Sequence, residues 1–195
     1  MPLRSGRPRE ARIDATVRKS VLAILRDRSY RALTIDGVAR RAGVPRTSIY
    51  RRWPSKQHLV ADAVVTEMGV DPARDTGTLG GDLVAVAQSL RRAFSGPLGK
   101  ALPALVSDMA ADSELAVMVQ QRVLAVRRRS MQLAFERAAG RGDITAGLDI
   151  ELLLDMLTGP FYFRILFGHA PLDSRLAHTV TEYILRIAGS ELPGP

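Results

Sequence analysis

The sequence predicts an all-α protein of about nine helices, with a small basic helix-turn-helix head joined to a larger helical body. Three observations carry this. Apolar residues recur at helical spacing through most of the chain, and no alternating strand pattern persists. Capping residues, prolines and glycines punctuate those runs where helices start and stop. The charge is also concentrated at one end. Residues 1–60 hold 15 Lys+Arg against 4 Asp+Glu, and residues 61–195 hold 13 against 16, so the net charge of +8 divides into +11 and −3. A basic module on a mildly acidic body is the electrostatic footprint of a nucleic-acid binder. A general preference for Arg over Lys explains which cation is used, but not why the excess stops near residue 60.

Taken in order, residues 1–9 are polar, carry Arg4, Arg7, Pro8 and Arg9, and are expected to form a disordered basic arm. Two roles are open for it. Arg7 and Arg9 could lie in a narrow A·T minor groove, or the arm could add nonspecific attraction alone. Ile13, Val17, Val21, Ile24 and Leu25 then make the apolar stripe of a first helix. Thr34 caps a short helix carrying Ile35, Val38 and Ala39 that stops at Gly43. Pro45 opens another short helix through Ile49 to Trp53, and Ser55 caps a fourth running to Met68. The head is therefore placed at residues 10–54 and the body at 55–195.

In the body, Gly69 to Gly81 reads as a loop. Leu83, Val86, Leu90 and Phe94 mark a helix, Gly99 to Ala111 another, and a long one starts at Asp112 or Ser113 and ends near Gly140. Two more cover Asp149 to Phe167 and Asp173 to Ala188, with a kink or restart expected at Gly159-Pro160 because proline lacks an N–H and crowds the Met156 carbonyl.

Several function classes are excluded. The chain has no cysteine, so disulfides, thiolate metal sites and cysteine nucleophiles are absent. No apolar run reaches about 18 residues, and the start lacks the apolar stretch of a secretory signal, so a cytoplasmic protein that spans no membrane is expected. There is no Walker loop, no dinucleotide glycine pattern, no His-Glu-x-x-His and no Gly-x-Ser-x-Gly, and His58, His169 and His178 are scattered. Neither catalysis nor a cofactor or metal is expected.

The decisive constellation lies at residues 33–53. Gly43 supplies a turn conformation that a Cβ resists, and Ile35, Val38, Ala39, Val44 and Ile49 are placed to pack the two short helices. Arg46, Thr47, Ser48, Tyr50, Arg51 and Arg52 remain as the outward side chains of a helix short enough to enter a major groove. Trp53, one turn after Ile49, reads as core. The run Leu33-Thr-Ile-Asp-Gly-Val-Ala-Arg-Arg-Ala-Gly-Val-Pro-Arg-Thr-Ser-Ile-Tyr-Arg-Arg-Trp-Pro-Ser-Lys-Gln-His-Leu59 resembles the helix-turn-helix of the TetR family of bacterial transcriptional regulators. The turn glycine, Tyr50, the aromatic Trp53 and Ser55-x-Lys-x-x-Leu59 all fall in register. Arg52 and Trp53 stand where His and Phe are commoner in that family. The segment from Gly159 to Phe167, with Pro171-Leu-Asp, also resembles one branch of the family's sensor domains.

The resemblance implies roles residue by residue. Thr34, Tyr50 and Lys56 match phosphate-holding positions; Arg46, Thr47 and Ser48 fall where base edges are read, with Arg51 beside them. It also implies a homodimer bound to double-stranded operator DNA, acting as a repressor released by a small, largely apolar effector. Leu153, Leu157, Leu176, Val180, Ile184 and Ile187 belong either to the dimer seam or to the protein's own core. Met118, Arg122, Met131, Phe135, Phe161 and Arg164 are the adaptable, aromatic or hydrogen-bonding candidates for an effector site. The rival reading is an architectural DNA-binding protein with no effector.

Overall fold

The computed structural model describes residues 6–68 and 74–189, with side chains from Glu10 onward except those of Val123 and Val126. All the regular structure among them is helical. The first helix, α1 (Gly6–Asp27), begins inside the expected arm, so the backbone at Arg7, Pro8 and Arg9 is helical rather than extended. A proline in a first turn forfeits only an N–H that has no intrahelical partner, which makes this possible. The arm's first five residues, and the side chains of Arg7 and Arg9, lie outside the described residues.

Helix α2 (Ile35–Ala42) starts where Thr34 accepts a hydrogen bond from the Gly37 N–H and ends at Gly43, whose φ of 65° is left-handed. Helix α3 (Arg46–Tyr50) is shorter than the expected run to Trp53, and Pro45 sits just before it rather than in its first turn. Arg51 and Arg52 complete a turn instead, with the Arg52 and Trp53 N–H groups donating to the Ile49 carbonyl. Helix α4 (Lys56–Met68) follows, and Ser55 receives the His58 N–H as its cap.

Helix α5 (Leu79–Phe94) starts four residues earlier than the hydrophobic spacing indicates. Thr78 caps it through the Gly81 N–H, while Thr76 donates its N–H and hydroxyl to Asp82 at 2.7 and 2.8 Å. A Cβ on Gly81 would collide with the Thr76 hydroxyl, so this glycine is required by the packing of the loop. Helix α6 (Pro97–Ala111) is followed by α7 (Ser113–Val119), a π-helical stretch Gln120–Leu124 and α8 (Ala125–Arg141). These last three run as one helix, the expected long one, with a π stretch that the spacing does not reveal. Helix α9 (Ile150–Phe167) passes through Pro160 as one helix, so the expected restart is not found. Helix α10 (Ser174–Ala188) is capped by Asp173.

The chain divides into two compact units. The first comprises residues up to 68 together with 100–119. Its core gathers Val17, Val21 and Leu25 of α1, Val38, Ile49 and Trp53 of the reading region, and Leu59, Val60 and Ala63 of α4, each at most 5% exposed. At about 1.5–3 kcal/mol for a fully buried large side chain, these contacts hold the short helices in place. The second unit comprises 69–99 and 120 onward. There α5 packs against α8, α9 and α10. The units do not divide at 54/55, because α4 buries its apolar side against α1 and joins the head. Of the six residues left open between seam and core, Leu153, Leu157, Leu176, Val180 and Ile184 are buried in the second unit's own core, and Ile187 is 50% exposed.

Candidate nucleic-acid interface

The reading region is held from beneath by a buried carboxylate. Asp62 on α4, 2% exposed, receives Arg18 Nε of α1 at 2.7 Å and the Trp53 indole N–H at 2.9 Å. The Arg18 guanidinium also lies over the Trp53 ring, 5.9 Å from its centroid. A buried charge persists only with partners, and two directional donors from different elements fix the approach of α1, α3 and α4. Trp53 is thus core, as its spacing predicts, and its N–H is satisfied.

Helix α3 presents Arg46, Thr47, Tyr50 and, just beyond its end, Arg51 to solvent; Ser48 is half-buried. Arg46 Nε lies 2.9 Å from Asp36 Oδ1, and its guanidinium lies 6.0 Å from the centroid of the Tyr50 ring. The Tyr50 hydroxyl first, and the Asp36 carboxylate second, favour the charged form of Arg46 above its ordinary range. Arg51 stands 3.7 Å from Glu10.

Arg52 corrects the sequence reading. Its side chain is 12% exposed, paired with Asp14, and donates to the Ser48 carbonyl at 3.0 Å. It is therefore withdrawn from the outward face that the sequence assigns to it. Carboxylates on α1 outcompete water for this guanidinium, which positional spacing on α3 alone does not register.

Thr34, at the start of α2, uses its oxygen as an acceptor for the Gly37 N–H at 3.1 Å. Its hydroxyl proton remains a donor for a phosphate oxygen. Lys56 is less free. Its ammonium lies 4.4 Å from the centroid of the Tyr30 ring, and burial pushes its pKa down against the opposing pull of Asp108. Tyr30 in turn donates to Asp108 at 2.5 Å, and burial first, then that hydrogen bond, drives its phenol pKa up. The next turn repeats the pattern, with Ser55 Oγ 3.0 Å from His58 Nδ1 and His58 facing Asp112 at 3.9 Å.

Residues 22–63 match the family model described as bacterial regulatory proteins, tetR family. Residues 73–184, more than half of the chain, match the model described as tetracyclin repressor-like, C-terminal domain. The chain belongs to the TetR family. It is 28% identical over 167 residues to the HTH-type transcriptional regulator YdeS of Bacillus subtilis strain 168, covering 85% of this chain and 84% of that protein. The crystal structure of the TetR family transcription regulator SCO0332 superimposes with a TM-score of 0.74 at 28% identity, over 93% of this chain and 99% of that one. The fold is also that of the transcriptional regulator FadR from Bacillus subtilis, solved in complex with stearoyl-CoA, with a TM-score of 0.70 at 16% identity over 87% of this chain and 96% of that one. This TetR-family chain is a DNA-binding transcription regulator, not an enzyme, and its C-terminal domain is of the ligand-binding class.

In that domain of the TetR-family protein the six effector candidates fall apart into groups. Met131 and Phe135 on α8 and Phe161 on α9 are buried in the second unit, at 4%, 2% and 0% exposure. Arg164 on α9 donates to the Pro171 carbonyl at 2.6 Å and so serves its own loop. Arg122 lies in the π stretch and is exposed, while Met118 is half-buried on α7, in the other unit. Tyr162, edge-on to Phe94 at 4.9 Å between centroids, is an interior phenol whose pKa burial raises.

The residues that sequence reasoning missed here are carboxylates: Asp62 under the reading helix, Glu10 and Asp14 on Arg52, and Asp36 on Arg46. For Glu10, Asp14 and Asp36 the available signal is their rarity in a strongly basic segment, where each acid stands among many potential partners; Asp62 lies just beyond that segment.

Among the described residues no helix is long and apolar enough to cross a membrane. Large apolar side chains are nevertheless exposed on two helices of the second unit. Leu152, Met156, Phe163 and Phe167 recur at spacings that share one side of α9, and Tyr183 and Ile187 do so on α10; they are 38–69% exposed.

Proposed function

We propose that this protein is a repressor that binds a palindromic operator as a homodimer and lets go when a small, largely apolar effector binds. The observation that carries the reading is the α2–Gly43–α3 geometry, with Arg46, Thr47, Tyr50 and Arg51 outward in a segment of net charge +11. Arg46, Thr47 and Ser48 read base edges, while Thr34, Tyr50, Arg51 and Lys56 hold phosphates. Lys56 reaches a phosphate by leaving the Tyr30 ring. Arg7 and Arg9, whose side chains lie outside the described residues, are further candidates for DNA contact.

The exposed apolar sides of α9 and α10 support dimerisation, since scattered single apolar residues are ordinary but a periodic row on adjoining helices is not. For the effector, buried Met131, Phe135 and Phe161 favour an apolar ligand taken up in the second unit, with Arg164, Arg122 and Met118 as further candidates. FadR, which shares the fold, is a complex with an acyl-CoA, which fits that class. The repressor direction follows the name of the C-terminal family model. Such a protein works in the cytoplasm, where its operator is.

Selection of operators from random duplex DNA at two salt concentrations tests the reading. A two-fold-symmetric consensus, with half-sites about 34–36 Å apart or a multiple, is expected. The slope of affinity against salt counts the phosphate contacts. A specificity ratio near one would favour the architectural alternative. Once an effector is found, linkage requires operator DNA to weaken its binding by the factor with which it weakens operator binding.

A further inference from the structure

Acidic residues near a DNA-reading surface repel phosphate, yet three of the four carboxylates in residues 1–60 stand against the arginines of the reading region. Glu10 faces Arg51 and Arg52, Asp14 faces Arg52, and Asp36 faces Arg46. Arg52 is withdrawn, and Glu10 stands 3.7 Å or more from its partners. The Asp36–Arg46 contact differs from both: it is 2.9 Å long, and Arg46 is the first residue of α3, on its outward side.

Stability does not account for that contact. Both side chains are more than half exposed, at 57% and 51%, and such pairs contribute little to folding. A carboxylate in the first turn of α2 does favour the helix dipole, but that does not require it to hold an arginine of the next helix. What the contact does is directional. It seats the Arg46 guanidinium, with Nε 2.9 Å from Asp36 Oδ1, while the Tyr50 ring, 6.0 Å away at its centroid, limits the face on which the guanidinium lies. A planar two-donor edge matches the O6 and N7 acceptors of guanine, and holding it in advance reduces the rotamer freedom lost on binding.

We propose that Asp36 is a specificity-determining positioning residue, which holds the Arg46 guanidinium so that it meets one guanine in each operator half-site. The inference rests on the assignment of Arg46 to base reading, and it predicts a separation of effects. Neutralising Asp36 frees Arg46 to swing toward phosphates, so binding to random-sequence DNA rises or stays level. Discrimination at the one base pair read by Arg46 falls.

The test uses the full chain and five forms: wild type, Asp36→Asn, Asp36→Ser, Arg46→Ala and the Asp36→Asn/Arg46→Ala double variant, each put through operator selection and then measured on the selected duplex and on single-base variants of it. Arg46→Ala should abolish preference at one G·C pair per half-site. Asp36→Asn should lower preference at that same pair by about fivefold or more, leave the other pairs unchanged, and strengthen or preserve binding to unrelated DNA. In the Arg46→Ala background, Asp36→Asn should change no base preference, since the two residues act as one unit. Asp36→Ser, which keeps a residue suited to a first helical turn, should behave as Asp36→Asn does. If Asp36→Asn and Asp36→Ser keep the wild-type preference at the Arg46-dependent pair, or if they weaken all sequences equally, the positioning role is overturned while base reading by Arg46 stands. If Arg46→Ala alters no base pair, both ideas fall together.

Discussion

The two compact units treat their surfaces in opposite ways. In the first, outward positions carry arginines and the carboxylates that meet them, and among its described residues only Tyr50, Val106 and Val117 are large apolar side chains left in solvent. The second leaves nine among its described residues, from Leu124 to Ile187, six of them in rows on α9 and α10. Inside, the units are alike, since each buries one carboxylate against an arginine: Asp62 with Arg18, and Asp82 with Arg137 at 2.6 Å. The difference therefore lies in what each surface is made to meet. A surface of cations held by counter-charges suits a polyanion. A row of uncovered apolar groups suits another protein surface, and in the proposed dimer that surface is its own copy.

The largest expected effect comes from closing the apolar row. Phe163, 56% exposed on α9, packs on Phe167 and His169. Phe163→Glu should leave helicity intact and convert a dimer into a monomer in sedimentation velocity. Operator affinity should then fall by about 100-fold or more, because the two heads no longer bind as one linked pair. A Phe163→Glu protein that sediments as the wild type does would remove the contrast between the units.

Next come the buried carboxylates, where the units are expected to agree in stability and differ in function. Asp62→Asn and Asp82→Asn should each cost about 2–3 kcal/mol in urea denaturation, since each deprives a partly buried arginine of its buried carboxylate partner. Under conditions where both variants are folded, Asp62→Asn should also weaken operator binding, because Asp62 fixes Trp53 and Arg18 beneath α3. Asp82→Asn should not, because Asp82 fixes the loop at Thr76. Equal operator affinity in the two would show that the Asp62 contacts stabilise the first unit without aligning its reading helix.

A smaller effect belongs to Lys56. Lys56→Gln should lower the salt slope of operator binding by about one per protomer, with little change in base preference. Its ammonium starts on the Tyr30 ring and not in open solvent, so the loss in affinity should be modest for a phosphate contact. A shift in base preference would place Lys56 among the reading residues instead.

How legible these features are in the sequence depends on how local their causes are. The cap at Thr34, the left-handed stop at Gly43, and the starts at Ser55 and Asp173 are set within three or four residues, and each lies where the sequence predicts. The side of α9 that faces outward is a different matter. Leu152, Leu153 and Leu154 are consecutive, and a helix apolar on every side carries no phase to read. The structure buries Leu153 and Leu157 and turns Leu152 and Met156 outward, one position away from the seam candidates on that helix. Arg52 is misread for a related reason: nothing on α3 announces that α1 brings Asp14 to it. The π stretch at Gln120–Leu124 likewise leaves no mark in the apolar spacing.

The smallest effect concerns the second unit's exposed polar ties, which should contribute far less than its apolar row if the contrast holds. Arg128 on α8 reaches across to α9, donating to Asp155 at 2.6 Å and pairing with Glu151, which also accepts from Gln132 at 2.6 Å. The hydrogen bond from Arg128 first, and that from Gln132 second, hold the Glu151 carboxyl below its ordinary value of 4.5, against smaller opposing pushes from desolvation and then from Asp155. A depressed carboxylate stabilises the fold above its unfolded value and loses that contribution as pH falls through its folded one. The tie should therefore be fully present at neutral pH and disappear only below 4.5. Both partners of Arg128 are more than half exposed, at 57% and 66%, so solvent screens them. Arg128→Gln should leave the melting temperature nearly unchanged at neutral pH and return the Glu151 carboxyl midpoint, followed by carbon-detected NMR, toward 4.5. A large loss of stability at neutral pH would mean that this surface clamp, and not the apolar core of α5, α8 and α9, holds the two helices together.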